Sequence, residues 1–335
     1  MSVKDKLQII LITYNREKHV QKTFERLFIE NSPIKDYDLL VLDNNSTDGT
    51  EAFVNQFIKT HPNVRYQKNK YNVGISGNIA KAMEIAEQEY VWIICDDDKY
   101  DFSNWHEVEK AIENKEEAIC VARYGINDEF KDLYEFHIGQ ITFVPAVIFK
   151  TSNFTDTVMR NVFDNIYTLF PHLCPLMAII NQGKRIYVVD KAIVDNGMDE
   201  KTTDCSYTRG LQVEELYKRT ESMTWIVGYA NICSIIKDKG LKSRALNNGF
   251  NGIHGGFDKF CNDVIGIYSS MENWPHLMDL FVNLTKKQQK VFIKKLFINS
   301  VIPIYQKKSK NPIIRVAKEI GRGVKKIKML SKGVK

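Results

Sequence analysis

A chain of 335 residues, 44% hydrophobic and 26% charged, is long enough for one large core or two domains, which excludes bulk disorder. The net charge of +6 is lopsided: residues 306–335 hold eleven Lys/Arg against the single acid Glu319, so the first 305 residues carry −4 and no basic face for nucleic acid is expected on the body. The six cysteines show no CxxC or zinc-ligand spacing. No apolar run reaches the roughly eighteen residues that span a bilayer, and the start lacks a signal peptide's apolar stretch; the expectation is a cytoplasmic protein with buried thiols.

The first element, QIILIT (8–13), is too short for a helix and rich in β-branched residues, so it reads as a buried strand. NREKHVQKTFERLF then places Val20, Phe24, Leu27 and Phe28 on one helical face. DLLVLD (38–43) is a second strand, and the turn NNSTDGT opens a helix containing Phe53, Val54, Phe57 and Ile58. NVRYQ (63–67) is a third strand, YNVGISGN a loop, and NIAKAMEIAEQ (78–88) a third helix; YVWIIC (90–95) is a fourth strand. Such alternation predicts an α/β fold with a mostly parallel sheet and helices on both faces, whose ligand sites lie in loops at the carboxyl ends of the strands.

From Ala118 the pattern is mixed. AICVARY and ITFVPAVIFK (141–150) read as strands, and LFPHLCPLMAIINQGKRIYVVD as a helix leading through Gly183 into a strand. Beyond Asp204 the period is mostly helical, most clearly in residues 211–240. The organisation predicted is a domain over 1–204, a helical C-terminal region over 205–305 and a basic tail over 306–335.

The unusual polar residues all follow strands. Thr13, Tyr14 and Asn15 end the first, Asp43, Asn44 and Asn45 the second, and Asp96, Asp97 and Asp98 the fourth. Three adjacent carboxylates fixed by an apolar strand repel one another unless a cation offsets them. Oxygen ligands of this kind suit Mg²⁺ or Mn²⁺ carried with phosphates; the alternative is a solvated acidic turn. Asp43 and Asn44 can accept from a base or ribose, the alternative there being a turn capped by Ser46 or Thr47. Gly74 and Gly77 permit close backbone approach, flanked by Asn72 and Asn78. Together these describe a nucleotide-diphosphate site built around a metal.

IILITYNR, LDNNSTDGT, NVGISGN and CDDD, in this order, resemble the motifs of family 2 glycosyltransferases of GT-A fold, over roughly residues 7–195. The resemblance implies a nucleotide-sugar donor, usually a UDP-sugar, held by Thr13, Tyr14, Asn15, Asp43, Asn44, Asn72, Gly74, Asn78, Asp96 and Asp97, with Asp98 on Mn²⁺ or Mg²⁺. It implies an inverting, metal-dependent transfer to a hydroxyl of a glycan or lipid-linked acceptor, in bacterial surface polysaccharide synthesis. Two departures stand out. Many members carry two acids where this chain has Asp43 and Asn44. Members also carry Glu-Asp about a dozen residues before a Gly that leads into a strand, the Asp being the base; counting back from Gly183 finds Pro171 and His172. His172, with a pKa intrinsically near neutral, takes the base position, and Asp164 in VFDNIY is the reserve. A structural His at a helix start is the competing reading.

In the tail, Ile313, Val316, Ala317, Ile320, Val324 and Ile327 fall at helical spacing among lysines and arginines, the pattern of an interfacial helix seeking anionic lipid, against the alternative of a solvated tail. The lipid reading would place the protein peripherally on the inner face of the membrane, with an oligomer also open. Competing functions are a non-catalytic sugar-nucleotide-binding module and a nucleotidyltransferase.

Overall fold

The computed structural model describes residues 2–122, 142–195, 197, 228–254, 257–258, 261 and 280–296. The chain divides into two compact units, Met1–Gly249 and Phe250–Lys335. Residue 204, the long helical pattern up to residue 227 and the whole basic tail lie outside the described residues.

The first unit is built on a seven-stranded sheet of order β3-β2-β1-β4-β7-β6-β8. Its strands are β1 (Leu7–Thr13), β2 (Asp38–Asp43), β3 (Val64–Lys68), β4 (Tyr90–Cys95), β6 (Ala118–Cys120), β7 (Val147–Lys150) and β8 (Tyr187–Val188). The pair β5 (Lys99–Tyr100) and β9 (Val194–Asp195) forms a separate antiparallel ribbon. All seven residues of β1 are buried, as a central strand covered on both faces requires; each aliphatic side chain so buried contributes roughly 1.5–3 kcal/mol. At the other extreme β3 is an edge, where Arg65 pairs with Asp38 and Glu87 and blunts the exposed ladder.

Strands β1, β2, β3 and β4 are parallel, while β7 runs antiparallel to both β4 and β6. The chain leaves β1 toward β2 and β3, then returns to place β4 on the other side of β1. The carboxyl ends of β1 and β4 therefore flank a topological switch point, the crevice in which open α/β sheets bind ligands. Helices α1 (Glu17–Leu27), α2 (Thr50–Ile58), α3 (Gly74–Glu84), α4 (Trp105–Glu113), α5 (Asp156–Asp164) and α6 (Leu173–Asn181) cover the sheet. Val20, Phe24 and Leu27 are the buried face of α1, as their spacing predicts, and Phe24 packs on Phe57 of α2 with ring centroids 4.5 Å apart.

Three expected elements differ in their bounds. Helix α3 begins at Gly74 rather than Asn78, because the Asn72 side chain accepts from the Gly74 N–H at 2.8 Å and Gly74 adopts φ +73°, turning the loop directly into a helix. Within ITFVPAVIFK only Val147–Lys150 is strand. Pro145, which lacks an N–H for the ladder, sits in a 3-10 turn over Val144–Ala146, and its carbonyl accepts from Trp92 Nε1 at 2.8 Å. Helix α2 starts after Gly49, with no side-chain cap; Ser46 and Thr47 serve other partners.

Later in the chain, residues 228–234 are helical, as are Lys239–His254 and Lys286–Leu296. Among the described residues no helix is long and apolar enough to cross a membrane. Cys95, Cys120, Cys174, Cys233 and Cys261 are thiols; burial pushes Cys174, Cys233 and Cys261 up to about 12, which keeps these three inert. Cys205 lies outside the described residues.

Candidate active site

The end of β4 carries Asp96, Asp97 and Asp98 directly into the switch-point crevice. Asp96 is 2% exposed, and its side chain is fully engaged: Oδ2 accepts from Thr13 Oγ1 at 2.6 Å, and Oδ1 pairs with Arg16 Nη1 at 2.9 Å. The same Nη1 reaches Asp97 Oδ2 at 2.9 Å. Helix α1 holds the backbone of the turn, since Thr23 Oγ1 donates to the Asp96 carbonyl and Arg26 Nη1 to the Asp98 carbonyl, each at 2.9 Å. One cation that offsets the clustered aspartates is thus a side chain of the protein, supplied three residues after Thr13.

Asp98 is treated differently. It is 1% exposed, and its Oδ2 has no hydrogen-bond partner among the described residues. Burial first, then the charges of Asp97 and Asp96, push its carboxyl well above the usual range, against backbone bonds at Cys95 and Gly197. Burial likewise raises Asp96 to about 7, with Arg16 opposing and Asp97 reinforcing the shift. A buried, unpartnered carboxylate oxygen is an acceptor waiting for a cation or a proton.

Around β2, Asp43 is wholly buried. Its Oδ1 accepts from Ser46 N and Oγ at 2.8 and 2.6 Å, and its Oδ2 from the Tyr66 hydroxyl at 2.5 Å. Asn15 takes the left-handed φ of +52° that asparagine tolerates, so that its N–H donates to Ser46 Oγ and its Oδ1 accepts from Thr47 N. Asn44 bonds from its N–H to the Thr13 carbonyl. Its Nδ2 donates to Asn72 Oδ1 and the Gly74 carbonyl, and its Oδ1 accepts from Val73 N and Asn69 Nδ2. In this arrangement Asn44 is a clamp on the Asn/Gly loop, with its amide engaged by protein. Asn78, 2% exposed, donates to the Leu42 carbonyl and accepts from Asn69 Nδ2.

The donor-side residues read from the sequence are therefore brought together: Thr13, Asn15, Asp43, Asn44, Asn72, Gly74, Asn78, Asp96 and Asp97 form one continuous polar network, Tyr14 is half-buried between Thr13 and Asn15 in the chain, and Asp98 follows Asp97. The two base candidates stand apart. His172 caps α6, is 2% exposed and lies 3.0 Å through Nε2 from the Thr142 carbonyl, which fixes the proton on Nε2. Asp164 is exposed at the last residue of α5. Sequence reasoning passed over Arg16, Thr23, Arg26 and Tyr66, and read Ser46 only as a helix cap. Arg16 carried a signal, a basic residue beside Asn15 at the same strand end as the acid cluster's partners; Tyr66 on an edge strand carried none.

Among the described residues no group of three or more His, Cys, Asp or Glu is arranged to hold a metal ion. The donor set fits a different kind of ion, one held by a single carboxylate oxygen, Asp98 Oδ2, whose other ligands are phosphates and water, as is usual for Mg²⁺.

A mostly parallel sheet with an acidic turn and an Asn/Gly loop at its switch point defines an α/β protein of the GT-A kind. The model of the family described as "Glycosyl transferase family 2" matches residues 8–192, and the chain belongs to that family. A GalNAc(5)-diNAcBac-PP-undecaprenol beta-1,3-glucosyltransferase of Campylobacter jejuni is 33% identical over 95 residues, 28% of this chain and 30% of that protein. Across three such curated relatives the chain covers 15% to 34% of their length. Among solved structures, S. aureus TarS 1–349 in complex with UDP-GlcNAc has a TM-score of 0.57 at 18% identity, over 91% of this chain and 93% of that one. The mannosyltransferase PcManGT from Pyrobaculum calidifontis, in complex with GDP-Man and Mn²⁺, has a TM-score of 0.51 at 14% identity, over 90% and 88%. These two likenesses establish the GT-A fold.

Proposed function

We propose that this protein is an inverting glycosyltransferase that moves a sugar from a UDP-sugar, with a divalent ion, to a hydroxyl of a glycan or lipid-linked acceptor in bacterial surface polysaccharide synthesis. The observation that carries this reading is the corner where Thr13, Arg16, Asp96 and Asp97 are bonded together beside the unpartnered Asp98 Oδ2. The UDP-GlcNAc complex of TarS and the undecaprenol-linked acceptor in the Campylobacter relative's name favour the donor and acceptor classes. The Mn²⁺ in the PcManGT complex favours the ion.

Asp98 would hold Mn²⁺ or Mg²⁺, which supplies positive charge to the diphosphate as negative charge builds on the leaving oxygen. The chain's residues do the rest. Asp43, anchored by Ser46 and Tyr66, and Asp96, anchored by Thr13, brace the strand ends where a base and ribose would lie. The Asn44 clamp shapes the Gly74 loop, whose backbone can approach the donor closely. His172 is the proposed base for the acceptor hydroxyl: with the proton held on Nε2 by the Thr142 carbonyl, the basic lone pair is on Nδ1. Asp164 is the reserve. Direct attack by the acceptor needs no covalent enzyme intermediate.

The test is turnover of a panel of UDP-sugars with Mn²⁺, with and without undecaprenyl-diphosphate glycans. UDP release that rises with acceptor supports transfer. A UDP-sugar bound but never consumed favours the binding-module alternative, and pyrophosphate release from a nucleoside triphosphate favours nucleotidyltransfer. For residues 306–335 we propose contact with anionic lipid: their removal is expected to lower binding to anionic vesicles while leaving donor hydrolysis intact.

A further inference from the structure

The aspartate cluster already contains one cation, and that changes what a metal ion meets there. Arg16 is paired with two of the three carboxylates, Asp96 and Asp97. Arg16 does not share itself evenly. Its Nη1 bridges Asp96 Oδ1 and Asp97 Oδ2, both at 2.9 Å, while Asp98 Oδ2 has no hydrogen-bond partner among the described residues. Asp96 has no oxygen left, because Thr13 takes the other. The Arg16 side chain is only 21% exposed and Asp96 3%, so solvent screens this corner weakly and a second cation would feel Arg16 strongly.

We propose that Arg16 is a resident counter-cation that makes metal binding conditional on nucleotide. It positions the cluster so that Asp98 is the acid left for the ion, and it repels that ion until a diphosphate arrives to offset both positive charges. Arg16 is in this sense a positioning residue, acting through Asp96, Asp97 and the charge of the corner. The inference rests on the metal-dependent reading above. It goes beyond that reading by assigning to one side chain the coupling between ion and nucleotide.

The experiment compares Mn²⁺ binding to the full chain, by electron paramagnetic resonance, alone and with saturating UDP, correcting for Mn²⁺ bound by free UDP. In the wild type, UDP should tighten Mn²⁺ by at least about tenfold. Arg16→Gln should tighten Mn²⁺ alone by about tenfold or more and shrink the UDP effect correspondingly. Arg16→Lys, which keeps the charge, should stay within about threefold of the wild type in both states. A merely structural Arg16 would lower the melting temperature of Arg16→Gln without altering the UDP dependence of Mn²⁺ binding, and that result overturns the proposal. If Arg16→Gln does not fold, Arg16→Lys carries the test: retained coupling supports a charge effect, and a tenfold change contradicts it. Mn²⁺ that binds neither wild type nor variants even with UDP defeats the metal-dependent reading itself and this inference with it. That outcome is distinct from Mn²⁺ binding everywhere with no dependence on Arg16.

Discussion

The two sides of the sheet are assembled differently. On the side of β1, β2, β3 and β4, parallel strands deliver polar residues to a common edge, where they bond to one another: Thr13 to Asp96, Asn15 to Ser46 and Thr47, Asn44 to the loop before α3. On the side of β7, β6 and β8 the strands are two to four residues long, and the proposed base, His172, sits at the N-cap position of α6 beside a backbone carbonyl. The first arrangement fixes many side chains mutually before any ligand binds, as recognition of a constant nucleotide favours. The second holds the proposed base, His172, against the Thr142 carbonyl and the Phe170 ring. The donor side should therefore tolerate substitution least.

Asp98→Asn is expected to have the largest effect, about 10²-fold or more on donor hydrolysis, with the fold intact by circular dichroism. Retained hydrolysis would remove Asp98 from the chemistry. His172→Ala comes next: loss of a general base costs typically 10²–10⁴-fold in kcat with little change in KM for donor, whereas a cap residue would lower only the melting temperature. Asp164→Ala, at an exposed helix end, should leave turnover within about threefold if His172 is the base.

pH offers a subtler probe. Asp96 is raised to about 7 in the folded chain against an ordinary value of 3.8, so between pH 4 and 7 the metal-free folded state holds a proton that the unfolded state has lost. Stability without metal should therefore fall as pH rises through that window, with Asp98, whose carboxyl burial also raises, adding to the fall. Mn²⁺ affinity should run the opposite way, rising with pH by up to about tenfold per pH unit for each proton released, as calorimetry in buffers of different ionisation heat can show. Smallest of all, Tyr66→Phe removes one hydrogen bond to buried Asp43 and should lower stability by about 1–3 kcal/mol, read from urea denaturation. A null result there would show that Ser46 alone anchors Asp43.

How much of this was legible in the sequence follows the same division. Thr13 and Asp43 end their strands and Asn44 and Asp96 stand immediately after theirs, so chain order and period were enough to gather these four at one edge. Their cation was not recognised, because Arg16 reads as the start of an amphipathic helix and its pairing spans eighty residues. Asn44 looked like a ligand acceptor, yet its amide is engaged by Asn72, Val73 and Gly74, a contact that depends on the left-handed turn at Gly74. The base position was read only through resemblance, since no local pattern marks a residue whose partner, Thr142, is thirty positions away.

The central claim is that the end of β4 accepts a divalent ion together with a nucleotide diphosphate. Titration of the intact protein with UDP in the presence of Mn²⁺, and again in excess chelator, tests it directly. Saturable binding of one UDP per chain that is lost with the chelator, and lost in Asp98→Asn, is the expected result. Equal UDP affinity with and without Mn²⁺, or binding untouched by Asp98→Asn, would contradict it.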